Sequence, residues 1–568
     1  MFTQLPEHSD VLYLEDVKAW RIHHEDPHKK DIILPDNYSS AWYIRLSDHW
    51  DTCVVNDAGK DRILEWGEQR LMFESRDKII ENSEHLFGYQ WWTGQLLAHV
   101  GCMNKSVFIN DGTGLGKTRS ALAGLENSFK MGPNIIVCPK VAIPVWVKEI
   151  ETLWGAGVVD YITIVGDKKE RESRLKHVGD VDFTIISYDS LIKHVSCKSW
   201  PNSKKLVNAE LDAYSWNSVI VDESHRIKSP RALRTRCCWT LGDNADKRIA
   251  VTATPTTGSP EDLWAQWRFL APKEFPTLSD FRERFLNMQE NWHGGLDCIG
   301  WNETGYTHYL QLCGWRTRHR TFGSKEVQYA MKGMTVPEEG PHTVIKVPLN
   351  TLQRKGYNEM LESYISVWED DFLVAKNDLD KFTKLRQWAN GKPVLNDANR
   401  VVGLDTPSAK ADALVDLLFD VDCNVVVFCE HSKVAGMFYR ALEERLPGHM
   451  LINIITGDTR QATRDHAIAA FQDPNDLRTK ILVCTSGTMS ESVSLTNAGL
   501  LVFAQEPTSL QQFVQCRGRV RRVGSTHVVP AVSLRAKDTV EEHLALRMSN
   551  KMDTFNEYFE GLIKKGKD

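Results

Sequence analysis

Ser106-Val-Phe-Ile-Asn-Asp-Gly-Thr-Gly-Leu-Gly-Lys-Thr118 starts as a short apolar run and ends in a glycine loop that opens into the helix-like Arg119–Glu126. Strand, glycine loop and helix in that order form a cradle for phosphate. Gly114 and Gly116 let backbone N–H groups point at phosphate oxygens, Lys117 reaches the outer phosphates, and the Thr118 hydroxyl is placed to ligate Mg²⁺. The strict G-x-x-x-x-G-K-[ST] pattern would have its first glycine where Asp111 stands. The stretch reads as a nucleotide-binding site.

Outward from the loop, Asn134–Cys138, Phe183–Ile186, Ser218–Val221 and Arg248–Val251 are short, continuous apolar runs rich in β-branched residues, with helical stretches between them. That pattern marks strands covered on both faces, hence a parallel α/β sheet. Ligands gather at the strand ends of such sheets. There stand Asp222-Glu223-Ser224-His225 and Thr252-Ala-Thr-Pro255. Asp222 is suited to hold Mg²⁺ and Glu223 to orient the attacking water. The hydroxyls of Thr252 and Thr254 are expected to bond that acidic pair and sense the terminal phosphate. Upstream, Gln90 follows Tyr89, and its amide suits the donor and acceptor on an adenine edge.

A second set of buried runs follows at Asn424–Phe428, Leu451–Ile455, Lys480–Val483, Leu500–Phe503 and His527–Val532, which predicts a second α/β lobe. Within it Gln515-Cys-Arg-Gly-Arg-Val-Arg-Arg522 sets two guanidinia about one helical turn apart. From a second lobe, Arg519 and Arg522 can reach over a cleft to the phosphates as arginine fingers do. Arg517 and Arg521 read either as surface charges or as nucleic-acid contacts.

Composition excludes several classes. Of 568 residues, 42% are hydrophobic and 25% charged, as in a globular protein. There is no run of eighteen apolar residues and no signal-peptide pattern at the start, so a cytoplasmic protein without membrane attachment is expected. Twelve cysteines lack a Cys-x-x-Cys pair, which argues against a zinc module or disulfide frame. A net charge of −6 limits any nucleic-acid track to local basic patches.

Tyr89-Gln90, Asp111–Thr118, Val137-Cys-Pro139, Ile186-Ser-Tyr188, Trp216 with Val219–Lys228, Thr252–Pro255 with Leu263-Trp264, and Gln515–Arg522 together resemble the Swi/Snf-like branch of superfamily-two helicase-related ATPases. The resemblance runs over residues 86 to 550. Ser224 stands where that family usually has Ala and Ala253 where it has Gly, while Met489, Ser490 and Ser492 replace glycines in Gly487–Leu495. The resemblance implies two RecA-like parallel-sheet lobes in tandem: a lobe over 81–275, a hinge with helical protrusions over 276–400, a second lobe over 401–536 and a C-terminal helix over 537–568. Residues 1–80 read as a small mixed or β-rich accessory domain. The implied activity is an ATP-driven motor on double-stranded or branched DNA, in a compact bacterial or viral member acting as a monomer. Lys117, Asp222, Glu223, Arg519 and Arg522 would form its catalytic set, with Thr252, Thr254 and Gln515 coupling nucleotide to motion. Lys140, Ser187, Tyr188, Arg316, Arg318, Thr485 and Ser486 would contact nucleic acid. A strand-separating DNA or RNA helicase shares every ATP-site motif, and the motor of a restriction or defence complex would need a nuclease partner, for which the sequence shows no metal-dependent motif.

Overall fold

The computed structural model describes residues 10–14, 19–23, 32–35, 54–55, 90, 106–125, 132–195, 210–256, 258–290, 294–322, 324, 327, 339–368, 371–489, 495–521 and 528–565. Four N-terminal strands, β1 (Asp10–Leu14), β2 (Ala19–His23), β3 (Ile32–Pro35) and β4 (Val54–Val55), form a sheet of order β3-β2-β1-β4. The apolar run at Ala41–Leu46 and the helical pattern at Arg62–Asn82 lie outside the described residues.

The first lobe is built on a seven-stranded, fully parallel sheet. Its strands are β5 (Ser106–Ile109), β6 (Asn134–Cys138), β7 (Tyr161–Ile164), β8 (Phe183–Ser187), β9 (Trp216–Asp222), β10 (Ala245–Val251) and, much later in the chain, β13 (Thr317–Arg318). Their order is β13-β5-β10-β9-β6-β8-β7. β5, β6 and β8 are buried along their whole length, as expected of strands covered on both faces. Each valine or isoleucine so buried contributes on the order of 1.5–3 kcal/mol. Helices α1 (Lys117–Ala123), α2 (Ile143–Trp154), α3 (Lys168–Leu175), α4 (Tyr188–Leu191) and α5 (Leu233–Asp243) make the crossovers.

The expected hinge over 276–400 is not a separate unit. Helices α6 (Trp264–Leu270), α7 (Leu278–Phe285) and α8 (Gly305–Cys313), with the antiparallel hairpin of β11 (Leu286–Glu290) and β12 (Leu296–Trp301), carry the aromatic core of the first lobe. Trp267 meets Phe275 and Tyr309, Phe275 in turn meets Phe281 and Phe285, and Trp267 meets Phe108 of β5 edge-on at 5.6 Å. So much apolar area cannot stay in a solvated linker; these residues share the core of the first lobe, and β13 joins its sheet.

The second lobe begins earlier than expected for the same reason. Its sheet, also parallel, has the order β14-β23-β22-β19-β21-β20, in which β14 (His342–Val347) is an edge strand on β23 (Ala531–Ala536). The others are β19 (Val425–Cys429), β20 (Leu451–Ile455), β21 (Lys480–Thr485) and β22 (Leu500–Phe503). Helices α9 (Thr351–Ser363) and α10 (Asp378–Asn390) and the hairpins β15–β16 (Ile365–Trp368, Asp371–Val374) and β17–β18 (Lys392–Leu395, Val401–Asp405) enclose a small core around Trp368 and Trp388. Then come α11 (Ala409–Leu418), α12 (Ser432–Arg445), α13 (Gln461–Gln472), α14 (Ser486–Met489), α15 (Leu510–Val520) and the long α16 (Val540–Lys565). No helix among the described residues is long and apolar enough to cross a membrane.

Candidate nucleotide cleft between the lobes

The loop between β5 and α1 has the cradle geometry. Gly114 and Gly116 sit at φ 85° and 69°, a region that glycine enters without steric penalty. A side chain at Gly116 would also lie 2.3 Å from Gln90 Nε2. That amide donates to the Leu115 carbonyl at 3.1 Å, so here Gln90 supports the loop itself. Lys117 Nζ donates to the Gly112 carbonyl at 3.1 Å, which parks the ammonium over the loop. Thr118, on the first turn of α1, is partly exposed. Buried Asp111 accepts from Arg320 Nη1 at 3.3 Å; burial raises its pKa, against the pull of Arg320 and Lys117.

The acidic pair stands at the end of β9. Asp222 Oδ2 accepts from Trp146 Nε1 at 2.9 Å and Oδ1 from the Glu223 N–H at 2.9 Å, which fixes the carboxylate plane. Glu223 has φ 49°, a left-handed conformation that costs a non-glycine residue about 1 kcal/mol or more and marks functional sites. Burial first, and then the Asp222 charge, push the Glu223 carboxyl up to about 7. A group that exchanges its proton near neutrality is suited to act as a base.

Thr252 does not bond the acids. Its hydroxyl meets His225 Nδ1 at 2.9 Å and accepts from the Thr254 N–H at 3.1 Å, while the Thr254 hydroxyl is buried without a protein partner. His225 Nδ1 also lies 3.3 Å from Glu223 Oε2. Burial and the neighbouring Arg226 and Lys228 hold this imidazole neutral. The histidine, to which the motif reading gave no role, thus joins Glu223 to the Thr252 turn. Ser224, where the resembling family has Ala, donates to Gln266 Oε1 at 2.8 Å, and Gln266 donates in turn to the Pro255 carbonyl at 2.7 Å.

Helix α15 of the second lobe closes the cleft. Arg519 is buried and feels the charge of Glu223 across the lobes. Gln511 Nε2 hydrogen-bonds His225 Nε2. An amide N–H can only donate, so the imidazole proton sits on Nδ1 and faces Thr252 and Glu223. Gly518 lies against Thr113 of the phosphate loop, 2.2 Å from a built Cβ to Oγ1. Gln515 is buried with both amide atoms lacking a protein partner, and Arg522 is outside the described residues. Arg517 and Arg521, left open by the sequence, both ion-pair with Glu339.

Several expected nucleic-acid contacts are turned inward. Arg316 is only 2% exposed and pairs with Glu274 at 2.6 Å. Tyr188 is buried and its hydroxyl donates to the Asp222 carbonyl, which supports the acidic turn. Ser187 accepts the Ser190 N–H as the cap of α4, Thr485 donates to Thr488 at 2.7 Å, and Ser486 donates to Gln512 at 3.4 Å. Ser187 is drawn to its cap because the first turn of α4 leaves N–H groups unsatisfied. Lys140 is exposed and Arg318 partly so.

The chain belongs to the SNF2-related family: residues 89–396 match the SNF2-related domain, and residues 409–524 match the helicase conserved C-terminal domain. Among curated proteins it is similar to a probable chromatin-remodeling complex ATPase chain of Oryza sativa subsp. japonica, 24% identical over 78% of this chain and 38% of that one. It is also similar to human DNA excision repair protein ERCC-6, 28% identical over 86% of this chain and 34% of that one. The chain therefore spans between a third and two fifths of these relatives' length. Among solved structures, the Sulfolobus solfataricus SWI2/SNF2 ATPase core in complex with dsDNA aligns at 19% identity and a TM-score of 0.39, over 83% of this chain and 92% of that one.

Proposed function

We propose that this chain is an ATP-hydrolysing motor on double-stranded DNA, in which nucleotide-driven closure of two lobes is converted into movement along the duplex. The observation that carries the reading is helix α15 of the second lobe packed on the phosphate loop, with Gly518 against Thr113 and Arg519 close enough to feel the charge of Glu223 in the first lobe. A cleft completed only when the lobes meet ties each hydrolysis event to a change in their spacing.

The residues present fit Mg-ATP. The Thr118 hydroxyl and the Asp222 carboxylate are hard oxygen donors suited to Mg²⁺, and the left-handed glycines with Lys117 make an anion cradle. Bound Mg²⁺ would offset the charge on the phosphates. Lys117 would exchange the Gly112 carbonyl for a phosphate oxygen, Glu223 would take the proton of the attacking water, and Arg519 would balance charge on the outer phosphate. Arg522 is proposed for the same task. DNA contacts are assigned to Lys140 and Arg318, basic side chains that favour phosphate over base contacts.

The test is steady-state ATP hydrolysis by wild type and Lys117→Ala without nucleic acid and with single-stranded DNA, plain duplex, forked duplex and RNA. Strong stimulation by plain duplex, absent in the variant and falling steeply with salt, is expected. Stimulation by single strands or RNA alone would instead indicate a strand-separating helicase.

A further inference from the structure

We propose that residues 318–322 couple the phosphate loop to the arginine-bearing helix α15, with Arg320 and Phe322 as positioning residues acting through Asp111 and Arg521. The proposal rests on the ATPase reading above.

This short segment is bonded to the loop along its length. Asn110 N donates to the Arg318 carbonyl at 2.6 Å, and Gly112 N to the Arg320 carbonyl at 2.7 Å. His319 Nδ1 donates to the Asn110 carbonyl at 2.8 Å. Burial pushes the His319 pKa down to about 4, so the ring stays neutral in its slot. The Arg320–Asp111 ion pair, buried at both ends, closes the set. All three loop residues from Asn110 to Gly112 are therefore gripped from outside, by residues more than two hundred positions away in the chain.

Gly112 is the point where the grip becomes informative. Its N–H is held by Arg320 and its carbonyl by Lys117 Nζ. When Lys117 leaves that carbonyl for a phosphate, Gly112 loses its carbonyl partner but keeps its N–H bond to the Arg320 carbonyl, so the change at the nucleotide falls on the residue to which the segment is bonded.

The segment also touches the second lobe. The Arg521 guanidinium lies over the Phe322 ring, 5.1 Å from its centroid. Arg517 and Arg521 ion-pair with Glu339 at 2.9 and 3.7 Å, and Arg517 donates to the Gly340 carbonyl at 3.1 Å. Helix α15 and its C-cap residue Arg521 thus hold both ends of the connection between the lobes, with Arg519 between the two gripping arginines. A shift at Gly112 passes through Arg320 to Phe322, and from there to the end of the helix that presents Arg519.

The experiment is a double-mutant cycle of Arg320→Gln and Phe322→Leu, read as kcat and as Kd for a fluorescent ATP analogue with Mg²⁺, with thermal unfolding of each variant. Leu keeps apolar volume but removes the ring face. Arg320→Gln is expected to weaken analogue binding about tenfold, because it leaves Asp111 as a buried unpaired charge. Phe322→Leu is expected to leave that Kd within about twofold and lower kcat about fivefold. The double variant should lose at least about threefold less kcat than the product of the single losses, since coupled sites are not additive. Asp111→Asn added to Arg320→Gln removes the unpaired charge and should restore part of the binding, a comparison that also serves if Arg320→Gln alone folds poorly. Multiplicative kcat losses, or weakened analogue binding in Phe322→Leu, overturn the proposal while an active wild type keeps the ATPase reading. A wild type that hydrolyses no ATP removes both.

Discussion

Gly518→Ala separates closure of the cleft from folding of either lobe. A Cβ at that position would sit 2.2 Å from Thr113 Oγ1, 2.6 Å from Thr113 Cβ and 3.0 Å from Thr113 Cγ2. Carbon atoms pack at roughly 3.5–4.0 Å. The helix must therefore back away from the phosphate loop by about 1 Å, and rotating the threonine offers no escape because its own Cβ is among the colliding atoms. Overpacking of that order costs about 1–3 kcal/mol, which is a factor of about 5 to 150 in the closed population. Gly518 and Thr113 belong to different lobes, so the penalty falls on closure. Expected are a kcat reduced by that factor, analogue binding within about twofold of wild type and an unchanged thermal midpoint. Adding Thr113→Gly, which removes all three colliding atoms, should recover most of the rate. A Gly518→Ala enzyme turning over within twofold of wild type would show that the packed arrangement is not the hydrolysing one.

Glu223, with its carboxyl raised to about 7, gains its working base form as pH rises, so kcat/KM should fall about tenfold per pH unit below about 7 and level off above. The same shift has the opposite sign for stability: the protonated side chain favours the folded chain, a contribution present below the unfolded value of 4.5 and lost as pH rises through about 7. Glu223→Gln should abolish hydrolysis and remove this component from a thermal-unfolding pH series. In the second lobe, a Cβ on Gly356 would lie 2.4–2.6 Å from atoms of the buried Trp388 indole. Gly356→Ala should therefore cost about 1–3 kcal/mol of stability, seen as a lower unfolding midpoint with analogue affinity unchanged.

What the sequence discloses here is what is decided locally. Asn134–Cys138 is strand-like because its residues are apolar and largely β-branched, and the run coincides with a strand of the sheet. The loop glycines and the Asp222-Glu223 pair were legible because phosphate chemistry demands those types at those spacings. Illegible was whatever depends on a distant partner. β13 has two residues, too few for any periodicity, and its strand character exists only beside β5. Arg316 and Tyr188 looked like surface contacts because nothing in their neighbourhood announces Glu274 or the Asp222 carbonyl. His-Thr-Val-Ile-Lys-Val347 was passed over because, on the sheet edge, most of its side chains face solvent and no continuous apolar run marks it.

The connection between the lobes leaves one sheet as its edge strand β13 and joins the other as its edge strand β14. This decides where the polypeptide can be divided. A fragment ending at residue 275 would expose the outer backbone of β5 and lose the core aromatics Phe281, Phe285 and Tyr309. A fragment starting at residue 401 would bare the outer edge of β23, and an unpaired flank of that kind invites self-association. Halves meant for separate expression and later reassociation should be cut between Phe322 and Glu339, where each sheet keeps the border strand that shields it.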